Sequence, residues 1–238
     1  MFKNIKVGGL EPASMLERPG LISTIVFLLG CNFRCPFCHN PELVTETEGV
    51  TLYPTEEVLK MLKAKKGWVD SVIFTGGEPT VHPGLPLFIQ AVKDMGFQAG
   101  LHTNGTNPAM LKELLDKDML GYVAMDVKNR ISKYSETVGI KNFDTKPIEE
   151  SIQLILKAKP EVDTIFRTTA VPELVTEEDV EEIGKMVKGG KKIALQQFRT
   201  MKCVDKEYEK RTPYDKKTLI RMADILEKYV DKVEREFM

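Results

Sequence analysis

The chain alternates between strand-like and helix-like segments, and this alternation constrains its fold more than any other feature. Short apolar runs rich in β-branched residues are each followed by a longer segment with apolar residues at helical spacing. Strands separated by helices pair in parallel, with right-handed crossovers. The predicted strands are residues 21–29, 71–75, 97–102, 122–128, 162–169 and 193–197. The predicted helices are residues 55–65, 85–95, 109–116, 148–158, a segment capped by Thr176, and about 216–233.

Six strand–helix units predict an α/β fold in the form of a partial (β/α)6 barrel that is open on one side. One domain is expected over residues 1–238, because no repeat or obvious linker interrupts the pattern. A doubly wound sheet has the same spacing of elements and stays an alternative. In both folds, ligands bind at the carboxyl ends of the parallel strands. The unusual residues of this sequence follow those strand ends.

The charge balance narrows the classes of function. Of the 238 residues, 42% are hydrophobic, and 34 basic side chains stand against 35 acidic ones. A nucleic-acid-binding protein normally has a basic excess, so nucleic acid is not an expected partner. No apolar run approaches the roughly 20 residues of a membrane helix. The segment before Cys31 contains Glu11 and Glu17, unlike a lipoprotein signal. We therefore expect a cytoplasmic protein without a membrane partner.

Three of the cysteines lie close together, since Cys31, Cys35 and Cys38 form a C-x3-C-x2-C triplet after the first predicted strand. Thiolates at that spacing on a loop can converge on one metal centre. A structural zinc ion prefers four ligands, and His39 follows Cys38 too closely to bind the same ion without strain. A four-iron cluster held by three cysteines leaves one iron open for chemistry. A non-enzymatic zinc or iron–sulfur binding module is the alternative.

The triplet, with Phe37 before its last cysteine, resembles the signature of the radical S-adenosylmethionine (SAM) superfamily. The resemblance implies the partial barrel of that superfamily, with a [4Fe–4S] cluster on Cys31, Cys35 and Cys38 and SAM on the open iron. In these enzymes one electron from the reduced cluster cleaves SAM, and a 5′-deoxyadenosyl radical then abstracts a hydrogen atom. The protein contributes position and electrostatics, while the cofactors break the bonds.

The second predicted strand ends in Thr75-Gly76-Gly77-Glu78-Pro79, which resembles the GGE motif of the superfamily. Gly76 and Gly77 let the backbone approach a ligand closely, and Pro79 stiffens the turn. Carbonyl groups there, with the Glu78 carboxylate nearby, suit the ammonium group of SAM. A tight turn is the alternative for this motif alone. Its position one strand after the cysteine loop favours the ligand site.

The third predicted strand ends in Thr103-Asn104-Gly105, which is similar to the TNG motif of activating enzymes in the superfamily. The side chains of Thr103 and Asn104 are polar and follow the strand directly. The resemblance implies that these two side chains meet the ribose hydroxyls of SAM. An ordinary turn is again the alternative.

The fourth and fifth predicted strands carry charged residues near their ends. Residues two apart on a strand face the same way, so Ala124, Asp126 and Lys128 share one face. An inward face would direct an ion pair of Asp126 and Lys128 at the SAM site, whereas a salt bridge on the rim is the alternative. Arg167 on the fifth strand would pair with the SAM carboxylate, since a guanidinium fork matches that group.

Further stretches resemble the activating enzymes of glycyl radical enzymes, and this resemblance covers most of the chain. The reaction it implies is an oxidoreductase reaction, the removal of hydrogen from one backbone glycine of a large glycyl radical enzyme. The chain most resembles activating proteins of anaerobic ribonucleoside-triphosphate reductase, so anaerobic ribonucleotide reductase is the expected partner. A flavodoxin- or ferredoxin-type protein is the expected electron donor. The matching stretches are residues 9–12, 19–20, 22–24, 38–43 and 196–199.

The chain departs from the family pattern at a few positions. Many activases have aspartate before the TNG motif, where this chain has His102. In related pyruvate formate-lyase activases that aspartate helps to hold a cation near SAM, so the cation site is in question here. Arg199 stands where those enzymes have a histidine. Cys203, alone in a charged loop, is interpreted as incidental, and His82 as a loop residue. A radical SAM enzyme acting on a small molecule or a peptide is the alternative function.

Overall fold

The computed structural model describes residues 2, 4–18, 20–44 and 50–237, which form an eight-stranded sheet flanked by helices. Pro19, part of one family-like stretch, lies outside the described residues. The strands are β1 (Val7–Ser14), β2 (Ser23–Leu28), β3 (Ser71–Gly76), β4 (Gln98–Thr103), β5 (Tyr122–Asp126), β6 (Asp163–Ala170), β7 (Lys192–Gln197) and β8 (Lys232–Glu236). The helices are α1 (Pro41–Val44), α2 (Thr55–Ala64), α3 (Leu85–Asp94), α4 (Pro108–Asp116), α5 (Tyr134–Val138), α6 (Lys146–Leu156), α7 (Glu177–Met186) and α8 (Lys216–Leu226).

The strands follow one another across the sheet in chain order, from β1 to β8. β1 pairs antiparallel with β2, and every later strand pairs in parallel with the next. A doubly wound sheet changes direction at a switch point, which this order does not contain, so that alternative was wrong. Among the described residues β1 and β8 do not pair with each other. The sheet is therefore unclosed, and the predicted α/β fold with an open side is confirmed.

Side chains alternate between the two faces of the sheet, and each face has its own apolar cluster. The outer face packs against the helices and forms the larger core, which includes Val26, Phe74 and Phe166. The inner face carries a smaller cluster inside the partial barrel. Its members are Ile25, Ile73, Tyr122, Ala124, Ile165 and Ala194. Ala124 therefore lies on the inner face, as the spacing of Ala124, Asp126 and Lys128 requires for an inward-facing set.

Local side-chain caps start several of the helices. The predicted capping box is present at α7, where the Thr176 hydroxyl accepts from the Asp179 N–H and the Asp179 carboxylate accepts from the Thr176 N–H. Asn107 accepts from the Met110 N–H at the start of α4, and Asp215 accepts from the Thr218 N–H at the start of α8. Each such cap stabilises a helix by about 1 kcal/mol. The crossovers between strands therefore begin where the sequence places these side chains.

The last predicted helix is too long. α8 ends at Leu226, and Lys232–Glu236 form the edge strand β8 instead of the continued helix expected up to residue 233. Val233 pairs with Ile193 of β7, so without β8 the backbone of β7 would be an unpaired sheet edge. The hydrogen bonds of that pairing are non-local. They override the helical spacing of apolar residues in this segment.

The six predicted strands correspond to β2–β7, and β1 was missed as well as β8. Gly8, Gly9 and Pro12 give β1 a poor strand propensity. An edge strand tolerates proline because one side of its backbone needs no ladder partner. Pairing with β2 therefore makes this segment a strand. No helix among the described residues is long and apolar enough to cross a membrane.

Candidate active site

One cavity lies at the carboxyl ends of the parallel strands, where the fold is expected to bind ligands. It is bordered by the loop after β2 and by the ends of β3, β4, β5, β6 and β7. Every site residue that the sequence suggested contributes to its lining: Cys31, Cys35, Cys38, Gly76, Gly77, Glu78, Thr103, Asn104, Asp126, Lys128 and Arg167. The fold thus brings these predicted residues, which come from five separate chain segments, together around one space.

The cysteine loop borders one side of the cavity. Cys35 is the most buried of the three, and Cys31 and Cys38 are half-buried. The Cys38 N–H donates to the Cys35 carbonyl, and the Phe33 N–H donates to Cys31 Sγ at 3.3 Å. Burial raises the pKa of Cys31 to about 11 and that of Cys35 to about 12. Metal binding here must therefore displace protons from these thiols.

The donor set fits an iron–sulfur cluster with three protein ligands, since all three thiols face one cavity from one loop. Within the described residues, no three His, Cys, Asp or Glu side chains are arranged to hold a single metal ion. The loop after β7 supports the cysteine loop from outside. The N–H groups of Val204 and Asp205 donate to the carbonyls of Cys38 and Pro36.

The glycine turn after β3 packs directly against the start of the cysteine loop. The Gly77 N–H donates to the Leu28 carbonyl, and the Glu78 N–H donates to the Gly30 carbonyl, both at 2.8 Å. A Cβ atom on Gly77 would lie 2.1 Å from the Gly30 oxygen. Gly76 has φ of 118°, a conformation that favours glycine. The two glycines therefore allow β3 and the cysteine loop to approach each other.

Replacement of Gly77 by alanine is expected to lower the free energy of unfolding by about 3 kcal/mol, because the new methyl group meets backbone atoms that cannot move aside. Chemical denaturation of the apoprotein measures the change. Gly9→Ala is the matched control, since its Cβ would meet nothing nearer than 3.5 Å. The control should change stability by less than about 0.5 kcal/mol. Equal losses in both variants would contradict this account of the turn.

The Glu78 carboxylate fastens the ends of β3 and β4 together. Its Oε1 accepts from the Thr80 N–H, the Thr80 hydroxyl and the Thr103 hydroxyl, and its Oε2 accepts from the Asn104 N–H at 2.6 Å. Burial raises the pKa of Glu78, and these hydrogen bonds oppose the rise. The side chain is only 1% exposed. Most of its acceptor capacity is thus used inside the protein.

The TNG turn after β4 is tied to the cysteine loop by Asn104. Its Nδ2 donates to Asn32 Oδ1 at 2.9 Å and lies 4.0 Å from Cys31 Sγ. Its Oδ1 accepts from the backbone and hydroxyl of Thr106. Asn104 therefore sits beside the first cysteine, and the Thr103 hydroxyl is used by Glu78.

A charged group lies on the inner face at the ends of β5 and β6. Asp126 accepts from Lys128 Nζ at 3.0 Å and from Arg167 Nε at 2.9 Å. Burial alone would raise the pKa of Asp126, but the charges of Arg167 and Lys128 outweigh it and hold the pKa well below its usual value. The predicted ion pair of Asp126 and Lys128 therefore exists on the inner face. Arg167 belongs to the same charged group, although the sequence analysis assigned it only to the binding of the SAM carboxylate.

His102 supports the same charged group from β4. Arg167 Nη1 lies 3.1 Å from His102 Nδ1, and burial and the Arg167 charge hold the pKa of His102 well below its usual value. A neutral ring that accepts at Nδ1 carries its proton on Nε2. That atom is buried and has no hydrogen-bond partner among the described residues. Many activases have an aspartate at this position, and neutral His102 does not supply the negative charge of that aspartate. The carboxylate of Asp126 is shared by two protein cations.

Sequence reasoning did not assign several cavity residues. His39, Asn40, Thr169 and Gln196 also line the cavity. His39 was considered only as a zinc ligand and, like Asn40 and Gln196, within a family-like stretch. Thr169 follows Arg167 at the two-residue spacing of one strand face, a signal that could have found it.

Cys203 and His82 are more deeply placed than the sequence suggested. Cys203 is 5% exposed, and its Sγ lies 3.8 Å from His39 Nδ1, so it packs against the cysteine loop instead of standing alone in a charged loop. His82 is buried, with its ring nitrogens 3.0 Å from the Asn4 carbonyl and 2.9 Å from the Leu29 carbonyl. Both residues therefore brace the segments around the cysteine loop.

Comparison with known proteins shows the family to which the chain is related. The family model of the radical SAM superfamily matches residues 25–187. A protein of Methanocaldococcus jannaschii with the provisional name glycyl-radical enzyme activating enzyme is 35% identical over 231 residues, which cover 95% of this chain and 94% of that protein. The pyruvate formate-lyase-activating enzyme of Clostridium pasteurianum is 31% identical over 129 residues, 52% of each chain.

The fold has known counterparts as well. The crystal structure of Streptococcus suis SuiB bound to S-adenosylmethionine matches with a TM-score of 0.62 at 17% identity, over 87% of this chain and 48% of that one. At this identity the likeness concerns the fold alone. The family match and the relative that aligns over nearly its full length establish the relationship at sequence level. The chain therefore belongs to the radical SAM superfamily, as an enzyme of the glycyl-radical-enzyme activating family, which uses a [4Fe–4S] cluster and SAM.

Proposed function

We propose that this protein activates a glycyl radical enzyme, and that its target is anaerobic ribonucleotide reductase. Its reaction removes one hydrogen atom from a backbone glycine of that partner. The observation that carries the proposal is one cavity that is lined by three cysteines and the ends of five strands, on the inner side of an unclosed barrel. The Methanocaldococcus jannaschii relative, which aligns over nearly its full length, has the provisional name of a glycyl-radical enzyme activating enzyme, and this similarity supports the target class. The resemblance of residues 9–12, 19–20, 22–24, 38–43 and 196–199 to activating proteins of that reductase supports the choice of target.

The cysteine loop would hold the cluster through Cys31, Cys35 and Cys38. When bound, the cluster and SAM supply the electron transfer and the radical that takes the hydrogen atom. The chain excludes water around the cysteines with apolar side chains that line the same cavity, including Phe33, Phe37 and Val44. Sites of this kind need a dry cavity because water would otherwise compete with the reacting groups.

The two ends of the SAM amino acid would meet different parts of the cavity. Arg167 uses Nε for Asp126 and Nη1 for His102, and no hydrogen bond from Nη2 occurs among the described residues. A guanidinium group in this position can bind a carboxylate. Carbonyl groups of the turn at residues 75–78 would accept hydrogen bonds from the ammonium group. Thr103 and Asn104 would act mainly by holding the turns in place, since their side chains bond to Glu78 and Asn32.

The partner must bring a segment of its own backbone into this cavity. The unpaired edges of β1 and β8 leave a lateral opening in the described sheet, which suits the entry of a polypeptide loop. An electron donor of the flavodoxin or ferredoxin type would reduce the cluster. The need for such an electron donor supports a cytoplasmic site of action.

The proposal predicts a glycyl radical on the partner. Reconstituted protein that is reduced and incubated anaerobically with SAM and anaerobic ribonucleotide reductase should give the EPR doublet of that radical. Methionine and 5′-deoxyadenosine should form in the same reaction. A partner in which alanine replaces the target glycine is the control and should give no doublet.

The other outcomes distinguish the competing functions. A doublet only on a different glycyl radical enzyme would retain the reaction and change the target. SAM cleavage that depends on a small metabolite or a peptide, with no doublet on any such enzyme, would overturn the proposal. Fully reconstituted wild-type protein that cleaves no SAM would contradict the radical chemistry altogether.

A further inference from the structure

The oxygen atoms that a hard cation would need are already engaged around Asp126. Asp126 Oδ2 accepts from Lys128 Nζ, and its Oδ1 accepts from Arg167 Nε. Both oxygens of the Glu78 carboxylate accept hydrogen bonds, one of them from the Thr103 hydroxyl. No three His, Cys, Asp or Glu side chains of the described chain are placed to hold one metal ion. The cation of related pyruvate formate-lyase activases therefore finds no fitting set of ligands among these residues.

The guanidinium of Arg167 occupies the space between the acceptors on β4 and β5. Its Nε donates to Asp126 at 2.9 Å, and its Nη1 lies 3.1 Å from His102 Nδ1. A cation that shared either acceptor would lie within a few ångströms of this fixed positive charge. Like charges at that distance repel each other strongly in a partly buried site. Arg167 therefore excludes a second cation from these two acceptors.

His102 accepts from Arg167 without adding a charge to the site. Its side chain is 4% exposed, and burial and the Arg167 charge hold its pKa well below the usual value. An aspartate at this position would contribute one negative charge, and a monovalent cation bound to it would contribute one positive charge. Those two charges sum to zero, which is also the charge of a neutral imidazole. Neutral His102 is thus electrostatically equivalent to an aspartate with its cation.

The ring of His102 is held in place by its neighbours. Its backbone is in register with Ala124 on β5, and Tyr122 stands edge-on to the ring with centres 5.9 Å apart. Glu17 Oε2 lies 3.7 Å from Nδ1, but because that nitrogen accepts from Arg167, the contact is not an ion pair. The Arg167 guanidinium is therefore fixed at two points, by Asp126 and by the His102 ring.

We propose that His102 is a positioning residue that fixes the Arg167 guanidinium, and that these two side chains together take the place of a bound monovalent cation. SAM binding then requires no added cation, because the positive charge that meets the SAM carboxylate belongs to the protein. This inference rests on the proposed contact between Arg167 and that carboxylate. It does not depend on the identity of the partner enzyme.

Equilibrium binding of SAM to cluster-loaded wild-type protein tests the need for a cation. Potassium, sodium and tetramethylammonium chloride are compared at one ionic strength, since tetramethylammonium is too large to bind among the oxygen atoms of a protein site. SAM affinity should differ by less than threefold among the three salts. A larger loss of affinity in tetramethylammonium, or no binding in any salt, would overturn the inference.

Replacements of His102 test its positioning role. His102→Leu removes the acceptor for Arg167 and should weaken SAM binding about tenfold in every salt. His102→Asn places an acceptor oxygen close to the position of Nδ1, so its affinity should stay within threefold of wild type. His102→Asp adds a negative charge, so its affinity should fall about tenfold in tetramethylammonium and recover at least threefold in potassium or sodium. A merely structural role of the ring would produce no such response to the salt.

Gln98→Asp is the matched control, because it adds the same charge at the exposed first residue of the same strand, β4. It should bind SAM like the wild type in all three salts, and iron content should be equal in all variants. Equal losses in His102→Leu and His102→Asn, or a His102→Asp protein that does not respond to small cations, would overturn the inference. If His102→Asp does not fold, the other two variants and the wild-type salt series decide it. The EPR experiment decides the proposed function separately.

Discussion

Replacement of Cys35 by alanine is expected to remove the [4Fe–4S] cluster and to reduce SAM cleavage to background. The triplet would supply the three protein ligands of the cluster, and the two thiols that remain in this variant are too few to hold it. Cys35 is 6% exposed and faces the cavity from the centre of the loop. Iron and sulfide analysis after anaerobic reconstitution, together with the yield of 5′-deoxyadenosine, measures the effect.

Cys203→Ala is the matched control for this prediction, because Cys203 is as buried as Cys35 but lies behind the cysteine loop. It should retain a full complement of iron and lose only about 1 kcal/mol of stability. If Cys35→Ala retains the cluster, or if Cys203→Ala loses it, the assignment of the three ligands is wrong. Far-ultraviolet circular dichroism of both apoproteins checks that the loss of iron does not result from unfolding.

Replacement of Asp126 by asparagine is expected to lower the free energy of unfolding by about 3 kcal/mol. Asparagine preserves the shape of the side chain but leaves the charges of Lys128 and Arg167 without their shared anion. Arg167 would also lose the partner that orients its guanidinium, so SAM binding should weaken. Urea denaturation of the apoprotein and equilibrium binding of SAM to the cluster-loaded protein measure the two effects.

The pH dependence of this loss follows from the lowered pKa of Asp126. A carboxylate with a lowered folded-state pKa stabilises the protein at every pH above its unfolded value of about 3.9, and loses that contribution as the pH falls through the folded-state pKa. The difference between wild type and Asp126→Asn should therefore be constant from pH 8 to about pH 5. A difference that disappears within that range would contradict the ion-pair account.

Asp118→Asn is the control for the removal of an aspartate charge. Asp118 pairs with Lys159 at 2.6 Å, but both side chains are largely exposed. Exposed pairs contribute at most about 1 kcal/mol because water and salt screen them. A loss in Asp118→Asn as large as that in Asp126→Asn would show that burial between two cations is not the cause.

Much of the fold could be predicted because the signals that specify β2–β7 are local. Apolar runs, helical spacing and the Thr176 cap act over a few residues, and they identify each strand–helix unit within the chain. β1 and β8 were missed because their residues have weak or misleading local patterns. Gly8, Gly9 and Pro12 disfavour a strand, and Val233 continues the helical spacing of α8. Only pairing with β2 and β7 makes those segments strands.

In the site as well, sequence patterns predicted some features and only the structure showed the others. The cysteine spacing and the turns after β3 and β4 suggested residues that do line one cavity, because parallel strands bring their carboxyl ends together. What the spacing could not show is which polar groups are used internally. The Glu78 carboxylate accepts hydrogen bonds mainly from Thr80, Thr103 and Asn104. The Arg167 guanidinium is held by Asp126 and His102.

The sequence by itself determined the parallel α/β architecture, the cluster of three cysteines and the strand ends that border one cavity, because periodicity and cysteine spacing are properties of neighbouring residues. Only the tertiary structure decided the neutral state of His102, its contact with Glu17 and the sharing of Asp126 by two cations. Those features depend on burial and on contacts between residues far apart in the chain, and neither is encoded in any short stretch of sequence.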